Sequence, residues 1–300
     1  MLEFKPLTLQ DKDLFDRYLN PYTFLTCEYS FTNLYIWRKG FEIEFAICKD
    51  AIIIKRIDLD NSYSFLQPIG YKKEDLKEVI NILVKYSEEN HFKFLFQSIE
   101  KPFMEELNLL FKNQFIIEED RDNFDYIYES AKLISLSGKS YHNKKNHYNA
   151  FIKNYSFYTA PLSLENLEDC ITASKEWCNK NDCKGYLLYE LRAIQDLLKN
   201  KDKLDFIGMV VYVDNKIVAF TLGEIMNNDM AIVHIEKADS GIRGLYAYVN
   251  KIFVEDYLSS VPFINREQDL GLEGLRKAKE SYLPLKLEPK YTVKIKQFSY

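Results

Sequence analysis

The feature that most constrains the fold of this sequence is an apolar run that ends abruptly in polar residues. Residues 261–264 have the composition of a short buried strand, and the five residues 265–269 that follow are all polar. Leu270 and Gly271 follow, before a segment with helical periodicity at residues 272–281. In α/β sheets ligands collect where a strand ends beside the start of a helix, because the helix N-terminus carries free N–H groups and partial positive charge. The sequence therefore predicts a ligand site here.

The charged side chains of this stretch are costly to bury unless they pair with one another or bind a ligand. Arg266, Glu267 and Asp269 are therefore predicted catalytic residues. Their neighbours Asn265 and Gln268 are predicted to contact the substrate. The alternative is a purely structural network of ion pairs, which uses the same residue types.

Length and composition are those of a folded globular protein. The chain has 300 residues, enough for one large domain or two ordinary ones. Of these residues 47% are hydrophobic and 28% are charged, and the net charge is −5. This acidic balance argues against a protein whose whole surface attracts nucleic acid.

One segment departs from the acidic balance. Residues 130–164 contain no Asp or Glu, whereas lysines recur within them. Lys139, Lys144 and Lys145 are predicted to bind phosphate, because a local basic patch attracts a phosphate backbone even when the protein is acidic overall. The alternative is the solvated lysine face of a helix.

The cysteines and the first residues of the sequence indicate an expected cellular compartment. The five cysteines are scattered, and Cys178 and Cys183 lack the spacing of a zinc knuckle. We therefore expect no disulfide framework, no metal site, and free thiols in a reducing cytoplasm. The first residues lack the apolar core of a signal peptide, and no run approaches the ~18 apolar residues that span a bilayer. The expected location is the cytoplasm, with any membrane association peripheral.

The pattern of apolar residues predicts the same order of elements in both halves. In the N-terminal half, helices are predicted at 12–19, 32–37, 73–90 and 101–112, and strands at 42–48, 51–57, 62–68, 91–98, 114–118 and 125–128. In the C-terminal half, helices are predicted at 139–154, 164–179, 186–199, 245–259 and 272–281, and strands at 156–160, 205–213, 216–226, 230–237, 261–264 and 291–296.

This order predicts an α+β protein of two units with mixed, mostly antiparallel sheets flanked by helices. The predicted units are residues 1–130 and 131–300. No Pro/Gly/Ser-rich linker separates them, so we expect the halves to pack tightly. The predicted site lies in the second unit, and the first is expected to be a scaffold.

The order of elements is similar to that of the GNAT (acyl-CoA N-acyltransferase) fold, so two tandem GNAT-like domains are expected. In that fold a cofactor enters at the helix after the fourth strand, which corresponds here to residues 230–246. Gly241, Arg243 and Gly244 are the predicted phosphate-binding residues of that loop, since glycines leave backbone N–H groups open to a ligand. Their register departs from the Arg/Gln-x-x-Gly-x-Gly/Ala loop of acetyl-CoA enzymes. Acyl-CoA is therefore an alternative, and no cofactor is expected to be required.

Two segments, VHIEKAD at 233–239 and NREQDLG at 265–271, carry a closer resemblance, which segments at 31–37, 122–128 and 136–146 support. The chain resembles, over nearly its whole length, the soluble family homologous to the C-terminal domain of phosphatidylglycerol lysyltransferases. The resemblance implies a tandem GNAT fold related to Fem-type aminoacyltransferases, which take an aminoacyl group from charged tRNA. In the lysyltransferases the acceptor is a lipid hydroxyl. No segment here corresponds to their integral membrane portion, so a small molecule, a peptide and a lipid head group all stay open as acceptors.

Aminoacyl transfer from an activated ester requires groups that hold the α-ammonium, orient the acceptor and stabilise an oxyanion. Carboxylates suit the first task, and Glu236, Glu267 and Asp269 are available, with Asp239 as a further substrate-binding residue. The candidate base is His234 or one of these carboxylates. The alternative for His234 is a satisfied histidine of the core.

Positive charge for the oxyanion or the terminal phosphate is predicted to come from Arg266 and Lys290. The alternative for Lys290 is a plain surface lysine. Two other functions stay open: an acyl-CoA-dependent N-acyltransferase, and a catalytically silent module that binds a small amine or peptide.

Overall fold

The computed structural model describes residues 2–58, 61–180 and 186–296. Contacts divide the chain into two compact units. Unit 1 comprises Met1–Asp125 and the segment from Glu288 onward, and unit 2 comprises Tyr126–Leu287. The two units are described separately below.

Unit 1 is built on a seven-stranded sheet. Its strands, numbered along the chain, are β1 (Lys5–Pro6), β2 (Glu44–Cys48), β3 (Ala51–Ile57), β4 (Tyr63–Phe65), β5 (Phe96–Ile99), β6 (Phe115–Glu119) and β14 (Tyr291–Ile295). Its helices are α1 (Lys12–Leu19), α2 (Phe31–Trp37), α3 (Leu76–Glu89) and α4 (Lys101–Leu110). The strand order is β1-β2-β3-β4-β5-β14-β6, with β4 and β5 parallel and the other neighbours antiparallel.

Helix α3 packs on this sheet because of the spacing of its apolar residues. Leu76, Val79, Ile80 and Leu83 recur at helical intervals, and all four are buried in one cluster with Phe65 of β4. The prediction of an antiparallel meander followed by an amphipathic helix is confirmed.

Unit 2 is built on a second seven-stranded sheet, in the order β13-β7-β12-β11-β10-β9-β8. Its strands are β7 (Asp125–Glu129), β8 (Phe157–Pro161), β9 (Ile207–Val213), β10 (Lys216–Ile225), β11 (Met230–Ala238), β12 (Phe263–Asn265) and β13 (Lys286–Glu288). Its helices are α5 (Ser130–Ser135), α6 (His142–Asn154), α7 (Leu167–Lys180), α8 (Tyr186–Lys199), α9 (Leu245–Tyr257) and α10 (Glu273–Glu280). The α+β class with two mixed sheets is therefore confirmed.

Two parallel strands of unit 2 diverge after a short pairing. Strand β12 pairs with β11 only from Met230↔Phe263 to Ile232↔Asn265. Beyond this point β11 continues to Ala238 without β12 as a partner, and the chain after β12 forms a loop. A gap therefore opens at the carboxyl ends of both strands, where ligands collect in sheets of this kind.

A β-bulge in β11 lies at the start of this gap. Leu222 of β10 pairs with Ile235, and the next residue, Gly223, pairs with Val233. His234 is therefore the extra residue on β11. Bulges of this kind redirect a side chain and are frequent beside functional sites.

Several sequence-based expectations differ from the structure. The final strand, β14, pairs with β5 and β6 and so belongs to unit 1, whereas the sequence placed everything after residue 130 in the second half. Strands β1 and β13 and helix α5 were not predicted. They are two, three and six residues long, too short for a periodic pattern to be recognised.

The expectation of free thiols holds for only part of the chain. Cys27, Cys48 and Cys170 are free and buried, but Cys178 is disulfide-bonded. The fifth cysteine, Cys183, lies outside the described residues. Within the part of the chain that the structure describes, no helix is both long and apolar enough to span a bilayer.

Candidate functional site

The gap between β11 and β12 collects the polar residues that the sequence singled out. His234 and Glu236 lie on β11, and Arg266 and Glu267 directly follow β12. The structure brings these four together as two separate ion-paired groups.

The first group is formed by Arg266 and Glu236. Arg266 Nη2 lies 3.1 Å from Glu236 Oε1, and each side chain is only 12% exposed. The Asn250 side-chain amide of α9 lies 3.3 Å from the second carboxylate oxygen of Glu236. The guanidinium carbon of Arg266 lies 4.8 Å from the ring centre of Tyr282 and 5.6 Å from that of Tyr128. The pair is thus held in place by aromatic rings and one amide.

Lys144, on the first turn of α6, adds a second cation to this group. Its Nζ lies 3.8 Å from the ring centre of Tyr282. Burial and the positive charge of Arg266 lower the pKa of Lys144 to about 8, against a smaller opposing effect of Glu236. Two cations therefore face one carboxylate in a partly buried setting. This excess of positive charge favours an anion or a developing oxyanion.

The second group is centred on His234, whose ring has a carboxylate partner on each side. The buried imidazole lies with Nδ1 2.9 Å from Glu267 Oε1 and with Nε2 3.2 Å from Glu224 Oε1. Burial alone would lower the pKa of His234, but the hydrogen bonds to Glu224 and Glu267 outweigh it and raise the pKa to about 9. At neutral pH the ring is therefore an imidazolium that donates to both carboxylates. A general base must be unprotonated, so this geometry favours the structural role for His234.

Asp269 anchors the start of α10. Its buried carboxylate accepts hydrogen bonds from the Tyr126 hydroxyl at 2.6 Å, from Arg276 Nε at 2.9 Å and from the Gly271 backbone at 2.8 Å. Burial raises its pKa, but the hydrogen bonds from Arg276 and Tyr126 outweigh this and hold the pKa well below its usual range. These contacts favour a structural role for Asp269.

The turn after β12 is held by its own polar groups. Asn265 is buried and its side-chain oxygen accepts from the Glu267 backbone N–H at 2.7 Å. Glu267 has a φ of 55°, in the left-handed region that side chains rarely adopt. Lys279 donates to the carbonyl oxygens of Arg266 and Glu267. Gln268 lies in the same turn and is half-buried. Asn265 thus contributes to shaping the turn that presents Arg266.

The loop after β11 is built differently from a phosphate cradle. The Gly241 backbone N–H donates to Asp239 Oδ1 at 2.9 Å, so a carboxylate already lies at the loop N–H group. Arg243 is exposed. Gly244 has a φ of 86°, and a Cβ there would lie 2.0 Å from the His147 carbonyl oxygen. Glycine is therefore needed at 244 for the close approach of α9 to α6.

The remaining predicted residues lie outside the gap. Lys145, on the first turn of α6, and Lys139, three residues before α6, are both exposed. Lys290 belongs to unit 1, where its Nζ lies 2.7 Å from both Glu28 Oε2 and Asp125 Oδ1. It is fully buried, so it is neither a surface lysine nor a member of the group around Arg266.

The same cluster in unit 1 contains the potential metal ligands Cys27, Glu28 and Asp125, whose donor atoms lie within 4.8 Å of one another. The ammonium of Lys290 lies within 2.8 Å of both carboxylates and 3.6 Å from Cys27 Sγ. A cation is therefore already supplied to these donors by the chain itself.

Several members of the two groups were not found from the sequence. No local sequence pattern connects Arg266 with Glu224, Asn250, Tyr128 or Tyr282. Glu224 was in principle recognisable, since an acidic residue near the end of an otherwise apolar strand is unusual.

Comparison with known proteins identifies the family of this chain. Residues 20–294 match the family described as phosphatidylglycerol lysyltransferase, C-terminal. The chain belongs to this family. It is thereby a member of an acyltransferase group with the tandem GNAT fold.

Three relatives illustrate the range of similarity. A conserved protein of unknown function from Bacteroides thetaiotaomicron is 34% identical, with a TM-score of 0.91 over 99% of this chain and 100% of that one. An L-PGS structure from Bacillus licheniformis shares the fold at 19% identity, with a TM-score of 0.60 over 86% of this chain and 85% of that one. The uncharacterized protein MYCGA3080 of Mycoplasmoides gallisepticum is 31% identical over 187 residues, which are 60% of this chain and 58% of that protein.

Proposed function

We propose that the protein transfers an aminoacyl group from charged tRNA to a hydroxyl or amine acceptor, with the reaction centred on Arg266 in unit 2. The observation that carries the proposal is that Lys144, with its pKa lowered to about 8, lies against the same Tyr282 ring as the Arg266 guanidinium, which is paired with Glu236. Membership of the lysyltransferase family supports the donor class.

The proposed reaction requires no covalent intermediate with the protein, because the aminoacyl ester is already activated. The acceptor oxygen or nitrogen attacks the ester carbonyl carbon, the bond from that carbon to the ribose oxygen breaks, and the ribose hydroxyl recovers a proton. Negative charge develops on the carbonyl oxygen between these events. Arg266 is always charged and is partly desolvated, so it suits stabilisation of this oxyanion.

Lys144 suits the transfer of the proton. A general base is most effective when its pKa lies near the working pH, and the pKa of Lys144 is about 8. The neutral amine takes the proton of the acceptor, and the resulting ammonium returns it to the ribose oxygen. In this proposal Lys144 replaces His234 as the base, because His234 is already protonated.

Two further contacts follow from charge. Glu236 is the carboxylate beside Arg266, and it suits the α-ammonium of the aminoacyl group. Lys139 and Lys145 are exposed on the same segment as Lys144 and suit the phosphate backbone of the tRNA. Any association with a membrane surface would serve only a lipid acceptor.

The acyl-CoA alternative has less support. A pyrophosphate binds to free backbone N–H groups, but the Gly241 N–H is taken by the carboxylate of Asp239. That carboxylate would also repel the phosphates. Gly244 is explained by helix packing.

The proposal is tested by the melting temperature of the protein with charged tRNA, uncharged tRNA and acetyl-CoA in parallel. A ligand at about 100 times its dissociation constant stabilises the folded state by about 2.7 kcal/mol. We expect a shift with charged tRNA that exceeds the shift with uncharged tRNA, and none with acetyl-CoA. A shift with acetyl-CoA alone would establish the acyl-CoA function instead. No shift with any of the three would leave a silent binding module as the better account.

A further inference from the structure

Asn250 places a polar side chain on the buried face of α9. Other buried positions of this helix carry apolar side chains, such as Leu245, Val249 and Phe253, whereas the Asn250 side chain is an amide that is only 2% exposed. A buried amide costs free energy unless its polar atoms form hydrogen bonds. The contacts of Asn250 therefore indicate its role.

These contacts are with the ion pair of Arg266 and Glu236. One terminal atom of the Asn250 amide lies 3.3 Å from Glu236 Oε2. With the amide oxygen at this place, Asn250 accepts from Arg266 Nε at 3.3 Å and from Arg266 Nη1 at 3.2 Å. The amide nitrogen at the same place would donate to Glu236, but it would direct its N–H groups at those of the guanidinium. We assign the oxygen, because two hydrogen bonds from Arg266 outweigh one to Glu236.

The guanidinium of Arg266 is thereby held through all three of its nitrogens. Glu236 Oε1 lies 3.1 Å from Nη2, and Asn250 accepts from the other two. The N–H groups of a guanidinium lie in one fixed plane, so two partners on different nitrogens fix its orientation.

Asn250 provides this orientation without adding a charge. His234 and Lys290, two other buried cations of the protein, each contact two carboxylates. Among the described residues, Arg266 has one carboxylate partner, Glu236, and the uncharged amide of Asn250 takes the place of a second. The positive charge of Arg266 is therefore not cancelled by its surroundings in the way that the charges of His234 and Lys290 are.

We propose that Asn250 is a positioning residue, which fixes the orientation of the Arg266 guanidinium and, because it is uncharged, leaves the positive charge of Arg266 and Lys144 available to an oxyanion. The use of that charge for an oxyanion rests on the proposed function. The orientation of Arg266 and the charge balance around it do not.

The titration of Lys144 reports this charge balance. Burial and the charge of Arg266 lower the pKa of Lys144 to about 8, and Glu236 opposes them. Several charged or titratable groups surround Lys144 or lie on the helix packed against α6. They are Arg266 after β12, Glu236 of β11, Tyr282 after α10, and Tyr248 and Lys251 of α9.

The test measures this titration in the full chain, without tRNA, by NMR of ¹³C-methylated lysines as a function of pH. The Lys144 signal is assigned by its absence in Lys144→Arg. Asn250→Asp has nearly the same shape as the wild type but adds a carboxylate beside Arg266. A nearby negative charge favours the ammonium form, so we expect the midpoint of the Lys144 titration to rise by about one pH unit or more. A midpoint that stays at the wild-type value would overturn the proposal.

Asn166→Asp is the matched control, since it adds the same charge at another buried asparagine of unit 2. The Asn166 side chain bonds to the backbone of Ser163 and Pro161. This variant should leave the Lys144 titration unchanged. A shift as large as that of Asn250→Asp would mean that any added charge acts on Lys144, and it would overturn the role assigned to Asn250.

Asn250→Leu keeps a similar volume and removes the acceptor, and it decides the question if Asn250→Asp does not fold. We expect its kcat for aminoacyl transfer to fall by roughly tenfold with little change in KM for charged tRNA, because the oriented guanidinium acts in the transition state. A residue with a merely structural role would lower the melting temperature and leave kcat of the folded enzyme unchanged.

The two proposals fail in different ways. A wild-type enzyme that transfers the aminoacyl group while Asn250→Leu keeps its full kcat would refute the role of Asn250 alone. A wild-type protein that transfers no aminoacyl group would refute the proposed function, and the Lys144 titration in Asn250→Asp would still decide the charge balance around Arg266.

Discussion

The two units each bury a lysine beside acidic residues, and the two lysines differ in almost every physical respect. In unit 1, Lys290 lies 2.7 Å from the carboxylates of both Glu28 and Asp125, and all three side chains are buried. In unit 2, Lys144 Nζ lies 3.8 Å from the ring centre of Tyr282, beside the ion pair of Arg266 and Glu236, and the lysine is only partly buried.

The two pKa shifts have opposite directions. Burial disfavours both ammonium groups, but in unit 1 the charges of Asp125 and Glu28 outweigh it and raise the pKa of Lys290 well above its usual range. In unit 2, burial and Arg266 together lower the pKa of Lys144 to about 8. A lysine with surplus carboxylates is locked as a cation and stabilises structure, whereas a lysine with surplus cations exchanges its proton near neutral pH.

The largest expected effect comes from removing the locked cation. Lys290→Met leaves the carboxylates of Glu28 and Asp125 buried without their cation, and we expect a loss of about 3–5 kcal/mol in the free energy of unfolding. Urea unfolding measures it. The control is Lys294→Met, which removes a partly exposed pair with Glu118 and should cost less than about 1 kcal/mol. Equal losses of unfolding free energy in the two variants would contradict the structural role of Lys290 in unit 1.

The next effect concerns activity. Lys144→Met should lower the rate of aminoacyl transfer by at least about 10²-fold, as removal of a general base does. In the wild type the rate should rise with pH through about 8 as Lys144 loses its proton, and the variant should lack this rise. Lys153→Met, at the exposed far end of α6, is the control. A variant at position 144 that keeps the pH-dependent rise would assign the proton transfer to another group.

The smallest effect concerns His234. Like Lys290 and unlike Lys144, it has two carboxylate partners that raise its pKa. The folded pKa of about 9 exceeds the usual histidine value of 6.5. Protonated His234 therefore stabilises the folded state fully below about pH 6.5, and this contribution to the free energy of unfolding is lost as pH rises through 9. It should shrink by about 2 kcal/mol between pH 7 and pH 9.

The measurement compares the unfolding free energies of the wild type and His234→Gln at pH 7, 8 and 9. The difference between them should narrow with rising pH. His142→Gln replaces an exposed histidine of α6 and should give no such trend. A difference that stays constant would mean that His234 is neutral in the folded protein.

The order of elements was readable from the sequence because the longer helices and strands carry strong periodic patterns. The spacing of Leu76, Val79 and Ile80 in α3 predicts a helix. The abrupt end of an apolar run at Ile264 predicts the turn that holds Arg266. The family resemblance was readable from the segments around His234 and Arg266, and it is confirmed.

The roles of individual side chains were not readable, since they depend on partners distant in the chain. His234 is protonated because a bulge turns it toward Glu224 and Glu267, and a bulge is defined by the pairing of two strands. Lys290 has a structural role because Glu28 and Asp125 meet it across more than 160 residues. The periodicity of apolar residues gives no information about contacts between side chains that are distant in the sequence.

The placement of β14 has a consequence for how the protein is made. Strand β14 lies between β5 and β6 in the sheet of unit 1, yet it follows all of unit 2 in the sequence. On the ribosome, the first 125 residues emerge without the strand that joins two of their own and without the cation that Glu28 and Asp125 share. The sheet of unit 1 can therefore be completed only after residues 291–295 have been made and unit 2 has been synthesised, so a chain interrupted anywhere upstream of β14 yields no finished unit 1.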